Sequence, residues 1–290
     1  MSLQLIHQGK VRDLYRVGPV GDRKLLMVAS DRVSAFDVVM KEEIRDKGKV
    51  LTAMSEFWFD YLEDQYPTHL ISAHPGPREL GQELPSQFVG RSMLVKEAEM
   101  LPIECIVRGY LAGSALKEYL ATQSVHSQRM PSGLAGGAKF SEPIFTPSTK
   151  AASGHDVNIS FDEAVDLVGR DVALKARELS IEIYTAGAQR AEEAGVILAD
   201  TKFEFGFIDG ELAVCDEILT PDSSRIWEAS ELGSGGEPTQ YDKQPLRDWL
   251  ESTGWDKLPP PPSLPVAIQE SLRNRYIAVY ERISGREFVA

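Results

Sequence analysis

Cysteine is nearly absent from this 290-residue sequence: there are two, Cys105 and Cys215. Two cannot build a disulfide framework, and they form no paired zinc motif. Both are expected as small buried core residues of a protein in a reducing cytoplasm. Long apolar runs are missing as well. Stretches such as residues 25–29 fall far short of the roughly 20 residues that cross a bilayer. Residues 1–8 lack the basic start and apolar stretch of a signal peptide. No GxxxxGK[ST] loop and no GxGxxG occurs, which argues against P-loop and Rossmann folds. Basic charge is also short, with 31 Lys and Arg against 44 Asp and Glu, a net −13. Nucleic acid and anionic lipid both need a concentrated basic surface, so neither is an expected partner. Small anions stay open, because local charge rather than net charge builds a site. Among the five histidines only His155 has polar, glycine-punctuated company; His7, His69, His74 and His126 have no acid or cysteine at ligand spacing.

What is present reads as about two domains or one large one, with enough chain to bury a core unaided. The first hundred residues are mainly β: two strands over 4–17 around a turn at Gln8-Gly9, then strands over 24–30, 38–44 and 92–98. Residues 52–66 carry a helical stripe of Met54, Phe57, Trp58, Tyr61 and Leu62. A strand over 103–110 and a short helix over 114–122 follow, then a loop over 125–143 rich in Ser, Gly and Pro. Ser160 with Glu163 predicts a capped helix start, and residues 171–195 the longest helix. Residues 196–207 and 211–219 predict a hairpin around Asp209-Gly210, and 266–283 a last helix. The fold class is α+β, an antiparallel β lobe over 1–98 and a mixed α+β lobe over 99–290.

The segment Asp200-Thr-Lys-Phe-Glu-Phe-Gly carries the clearest chemistry. Alternation puts Asp200, Lys202 and Glu204 on one face of a strand, with Phe203 and Phe205 towards the core. A solvated face with cross-strand ion pairs would explain this too, but the partner strand supplies acids only at its far end, Asp216 and Glu217. A two-residue turn at Asp209-Gly210 pairs Phe203 with Asp216 and sends that carboxylate among phenylalanines. A bulged loop one residue longer pairs it with Lys202 and gathers the charges, so the longer loop is expected. Converging carboxylates beside a lysine suit Mg²⁺ with polyphosphate. Gly9-Lys10-Val11-Arg12 makes a basic turn able to cover phosphates. Polar segments also close several strands: residues 30–37, 108–114, 146–156 and 220–225.

With these residues in view, the sequence resembles the SAICAR synthetase family. The resemblance rests on GKVRDLY (9–15), SDRVSAFD (30–37), KGKVLT (47–52), LPIECIVRGYLAGSALKEY (101–119), EPIFTPSTKA (142–151), GHDVNIS (154–160), ADTKFEFG (199–206), DEILTPDSSRIW (216–227) and YDKQPLRDWL (241–250). These segments run in order through most of the chain. The resemblance implies a two-lobed fold related to kinase and ATP-grasp architectures, with nucleotide between an antiparallel N-lobe and a larger α+β lobe. It implies ATP-dependent joining of the imidazole carboxylate of CAIR, a phosphoribosyl aminoimidazole, to the amine of L-aspartate, with Mg²⁺ assisting and an acyl phosphate on the way. A small-molecule kinase on a related scaffold is the alternative.

By the same resemblance Lys10, Val11 and Arg12 cover the nucleotide phosphates, and Lys96, Ala98 and Met100 form the hinge at adenine. Glu204 and Asp216 are the metal and nucleotide carboxylates, with Lys202 alongside and Asp200 at the reacting end of CAIR. Arg108, Ser114 and Arg225 grip the ribosyl phosphate; Lys243 and Arg247 add further anion contacts. Ser34 and Asp37 belong to a substrate-side loop, and Lys150, His155 and Asp156 to the region receiving aspartate. A cytoplasmic monomer is expected.

Overall fold

The computed structural model describes residues 3–62, 65–150, 157–233 and 238–290. Five strands come first in space: Gln4–Gln8, Arg12–Val17, Lys24–Ala29, Ser92–Lys96 and Leu70–Ser72, in that order and each antiparallel to the next. Lys24–Ala29 is apolar throughout because both its faces are covered. Leu25 and Met27 meet Val50, Met54 and Trp58 of the helix Lys47–Tyr61, while Leu26 and Val28 meet Leu80 and Leu94.

A second, seven-stranded sheet is organised on the 13-residue strand Val196–Ile208. Its length lets two strands share each edge. Ile103–Tyr110 and Glu99–Met100 pair along one edge, Ser224–Glu228 and Glu211–Cys215 along the other. Phe203 and Phe205 are fully buried in the main core with Leu179, Ile183 and Tyr184 of the 24-residue helix Arg170–Glu193. Burying two phenylalanines on one face of a strand fixes its register, so the opposite face must carry Asp200, Lys202 and Glu204. The chain passes from one sheet to the other between Lys96 and Glu99, where Leu101 N–H donates to Phe205 O at 2.8 Å.

Several boundaries differ from those read in the sequence. The first helix begins at Lys47, five residues before its expected start at residue 52, because Gly48 N–H is held by Asp31 Oδ1 at 2.9 Å. The expected loop over 125–143 contains the short hairpin Ser124–Val125 with Gln128–Arg129, and the strand Lys139–Phe145 begins within it. That strand pairs with Ile103–Tyr110, so its partner rather than its own pattern makes it a strand. The strand Arg32–Ala35 lies in a segment marked only as polar, and the helix Gln244–Ser252 largely in a family segment, 241–250, to which no element was assigned. Leu246, Leu250, Leu264 and Leu272 pack with Val33, Met40 and Ile44, which joins the C-terminal elements to the hairpin Arg32–Ala35 and Val38–Glu43. The capped helix start holds: Glu163 N–H donates to Ser160 Oγ at 3.2 Å and Ser160 N–H to Glu163 Oε2 at 2.7 Å. Cys105 and Cys215 are free and buried, and burial pushes both thiols up to about 12.

Candidate active site

The polar face of the central strand meets charges from several distant segments. Lys202 is paired with Glu104, whose other oxygen accepts from Ser148 Oγ at 3.2 Å. Lys150 is paired with Glu204. Burial opposes ionisation of Glu204, yet Lys150 and Lys202 hold it below the usual carboxylate range.

Asp216 joins this cluster by a route other than the expected bulge. The hairpin has a strict two-residue turn: Ile208 faces Glu211, and Glu204 faces Cys215. Asp209 and Gly210 both have positive φ, 52° and 87°, the requirement of a type I′ turn whose twist matches the flanking strands. The longer loop is therefore wrong. Strand pairing instead stops at Cys215, and Asp216 adopts a left-handed backbone with φ 61°. That reversal takes its carboxylate out of the alternation and onto Arg12, whose Nη2 lies 2.6 Å from Oδ2. Arg12 Nη1 holds Glu217 Oε1 at 2.7 Å. Although burial works against it, Asp216 and Glu217 keep Arg12 above its ordinary pKa. Burial, with Glu204 and Glu217 adding, outweighs Arg12 and pushes Asp216 up to about 7.

The turn that carries Arg12 closes on itself, with Gly9 N–H donating to Arg12 O at 2.7 Å. A Cβ on Gly9 would lie 2.7 Å from that oxygen, so only glycine fits. Val11 O is held by the N–H and hydroxyl of Ser30, at 2.9 and 2.7 Å. Lys10 is paired with Asp37, at the tip of the hairpin that also carries Ser34. Lys96, Ala98 and Met100 line the passage between sheets; Met100 is 41% exposed, and Ala98 packs over Gly206 so closely that a Cβ there would sit 2.9 Å from it.

At the other end of the same face Asp200 holds two arginines. Its Oδ2 lies 2.8 Å from Arg108 Nη1 and 2.5 Å from Arg225 Nη1, because the strands bearing them flank it directly. Arg108 also donates to Ser114 Oγ at 3.2 Å and to Thr146 Oγ1 at 3.0 Å. Gly113, with φ 54°, leaves room for Arg225, whose Nη2 would be 2.2 Å from any Cβ there. Asp242 is buried near Arg247 and Arg225, and burial raises its pKa. Arg247 lies beside Gln244, Nη1 to Oε1 3.2 Å. Lys243 Nζ sits 3.1 Å from Asp222 Oδ2, and burial lowers its pKa.

Among the described residues no group of three or more His, Cys, Asp and Glu side chains forms a ready metal cage. Glu204 and Asp216 nonetheless fit Mg²⁺. They are two carboxylates close enough to repel, and this ion takes one or two carboxylates together with phosphate oxygens.

A chain with this arrangement invites comparison with known proteins. The family model described as SAICAR synthetase matches residues 5–262. The chain belongs to the SAICAR synthetase family. Phosphoribosylaminoimidazole-succinocarboxamide synthase of Thermodesulfovibrio yellowstonii is 49% identical over 287 residues, covering 98% of this chain and 96% of that protein. Its counterpart in Geobacter sulfurreducens is 48% identical over 288 residues, covering 98% and 96%. Among solved structures, the Saccharomyces cerevisiae SAICAR synthase in complex with SAICAR has a TM-score of 0.87 at 41% identity, covering 99% of this chain and 97% of that one. A SAICAR synthetase in complex with ADP has a TM-score of 0.72 at 26% identity, covering 98% and 99%.

Within this SAICAR synthetase fold the residues singled out in the sequence divide in two. Arg12, Lys150, Lys202, Glu204 and Asp216 gather at one end of the central strand, and Arg108, Ser114, Asp200 and Arg225 at the other. His155 and Asp156 lie outside the described residues. Glu217, noted only as an acid at the end of its strand, and Glu104, Asp222 and Lys47 were given no role, although each holds a charged partner at the site. Glu104 and Lys47 sit in matching family segments, but their burial was invisible in a pattern of alternating residues.

Proposed function

We propose that this chain is a phosphoribosylaminoimidazole-succinocarboxamide synthase, an ATP-dependent ligase of purine biosynthesis that joins CAIR to L-aspartate. The observation that carries this reading is the single polar face of Val196–Ile208, with a carboxylate–cation cluster at one end and paired arginines at the other. That face can seat two anionic substrates nose to tail. ATP lies with its phosphates at Lys10, Val11, Arg12 and Lys202 and its base at Lys96, Ala98 and Met100, between a lobe of residues 1–98 and one of residues 99–290. Glu204 and Asp216 would hold Mg²⁺, which would supply positive charge towards the transferred group.

Arg108, Ser114 and Arg225 bind the ribosyl phosphate of CAIR, with Ser34, Asp37, Lys243 and Arg247 as further contacts and Asp200 towards its reacting end. An ionised carboxylate is a poor acyl donor, so an oxygen of CAIR first takes the γ-phosphoryl group and ADP departs. The aspartate amine, received by Lys150, His155 and Asp156, attacks the acyl carbon. Phosphate leaves with the C–O bond, the nitrogen loses its proton, and SAICAR results. Lys202 stays charged because Glu104 and Glu204 outweigh its burial, so it can stabilise negative charge as it moves to the transferred group. Two free buried thiols support the cytoplasm.

A coupled ADP-release assay with CAIR and L-aspartate omitted in turn tests the reading. ADP release is expected to yield product only when both are present. Aspartate-independent formation of a stable phosphorylated product would favour a small-molecule kinase, which none of the relatives named above supports.

A further inference from the structure

Lys47 is the first residue of the helix Lys47–Tyr61, and its side chain is 0% exposed. Local physics disfavours this twice. A buried ammonium loses hydration, and a cation at a helix N-terminus meets the positive end of the peptide dipoles. Its position is nonetheless rigid, because a Cβ on Gly48 would come 2.4 Å from Ala29 O, and Asp31 holds the Gly48 N–H.

Lys47 Nζ lies 2.8 Å from Asp222 Oδ2, the oxygen that also faces Lys243 Nζ at 3.1 Å. The other oxygen, Oδ1, accepts from Tyr276 Oη at 2.7 Å. Against burial, Lys243 and Lys47 hold the Asp222 carboxyl well below its usual range, so it stays ionised. Two buried ammonium groups thus share one carboxylate. Glu217, the other acid facing Lys243, has Arg12 as its partner at 2.7 Å and Thr220 Oγ1 at 2.7 Å. Within the trio of Lys47, Asp222 and Lys243 one positive charge is left over. Lys47 is sealed from solvent, whereas Lys243 is 10% exposed and has Arg247 beside it.

We infer that Lys47 is a positioning residue: by occupying Asp222 it leaves the charge of Lys243 unneutralised and available to an anionic, phosphate-class group of a substrate. Without Lys47, Lys243 and Asp222 would close into a neutral pair. The inference rests on the proposed function for which substrate carries that group, but not for the anion binding itself.

Inorganic phosphate serves as the probe, since it reports on the anion site without turnover. Calorimetric titration of the full chain compares wild type with Lys47→Met, which keeps length and removes charge, and with Tyr276→Phe, which loosens Asp222 without changing charge. Lys47→Met is expected to weaken phosphate binding about tenfold and to raise the KM for the phosphoribosyl substrate while kcat stays within about twofold. Tyr276→Phe is expected to change neither by more than about twofold. Unchanged phosphate affinity in Lys47→Met, or an equal loss in Tyr276→Phe, would overturn the inference, the second by making the cluster merely structural. Lys47→Gln replaces Lys47→Met if the latter does not fold. Reductive methylation of wild type gives a separate decision: Lys243 should label and be protected by phosphate, and an unprotected Lys243 counts against the idea. Failure of wild type to join CAIR and aspartate would sink the proposed function while leaving these binding results standing.

Discussion

Glu204 and Asp216 differ in how the protein holds their charge, and the difference is measurable. Glu204→Gln keeps the size of the side chain but removes a charge. We expect kcat to fall by roughly 10²–10³, the usual loss for one transition-state charge contact, with the thermal midpoint nearly unchanged; wild-type turnover would remove Glu204 from the metal role. Asp216 predicts a pH profile. A carboxyl with a pKa of about 7 is half protonated at pH 7, and its protonated form cannot ligate a cation. Affinity for Mg²⁺-nucleotide should therefore fall as pH drops through 7 and level off above 8, and Asp216→Asn should flatten the curve. A limb centred near pH 4 would show that the Arg12 pairing dominates burial. At the far end of the strand, Arg225→Ala removes a charge-assisted contact worth ~1.5–3 kcal/mol. The KM for CAIR should rise ~10–100-fold with the nucleotide KM nearly constant. A change in nucleotide KM alone would reverse that assignment.

Elements place these residues through close backbone contacts that leave no room for side chains. Gly109, in Ile103–Tyr110, faces the hydroxyl of Tyr184, which donates to Leu198 O at 2.7 Å; a Cβ on Gly109 would come 2.0 Å from that hydroxyl. Gly109→Ala should cost ~1–3 kcal/mol by overpacking, and adding Tyr184→Phe should recover much of it. Additive losses in denaturant melts would mean the clash lies elsewhere. Elements with a strong period of their own were legible in the sequence. Val196–Ile208, Ile103–Tyr110, Arg170–Glu193 and Val266–Ser284 lie within a few residues of their expected places. Lys139–Phe145 was not, because its pairing with a distant strand decides it. The hairpin was legible as a hairpin, but the position of Asp216 depended on one dihedral angle that no alternation pattern encodes.

Across the whole molecule, a surplus of acids proves compatible with anionic substrates in a particular way. The cations singled out in the sequence are not bare: Lys10, Arg12, Arg108, Lys150, Lys202 and Arg225 each already face a carboxylate. Around these six cations the charges are close to balance, so a polyphosphate bound there must bring positive charge with it. Chelating divalent ions should weaken nucleotide binding at least tenfold, measured by titration with and without chelator; metal-independent affinity would contradict this balance. The identity of these cations was legible from the ordered family segments. The pairing was not, since it requires knowing which acids are buried beside them.

The left-handed backbone at Asp216 also limits what sequence drift can do there. Aspartate and asparagine tolerate that conformation better than longer side chains. Glutamate would keep the charge but lose that preference, a cost of degree, since Gln123 and Lys257 hold the same left-handed conformation with longer side chains. Glu204 occupies ordinary strand backbone, where shortening to aspartate changes only reach. Two acids doing neighbouring work are thus under different constraints: at one position the main chain, as well as the ligand, weighs on which acid can stand there.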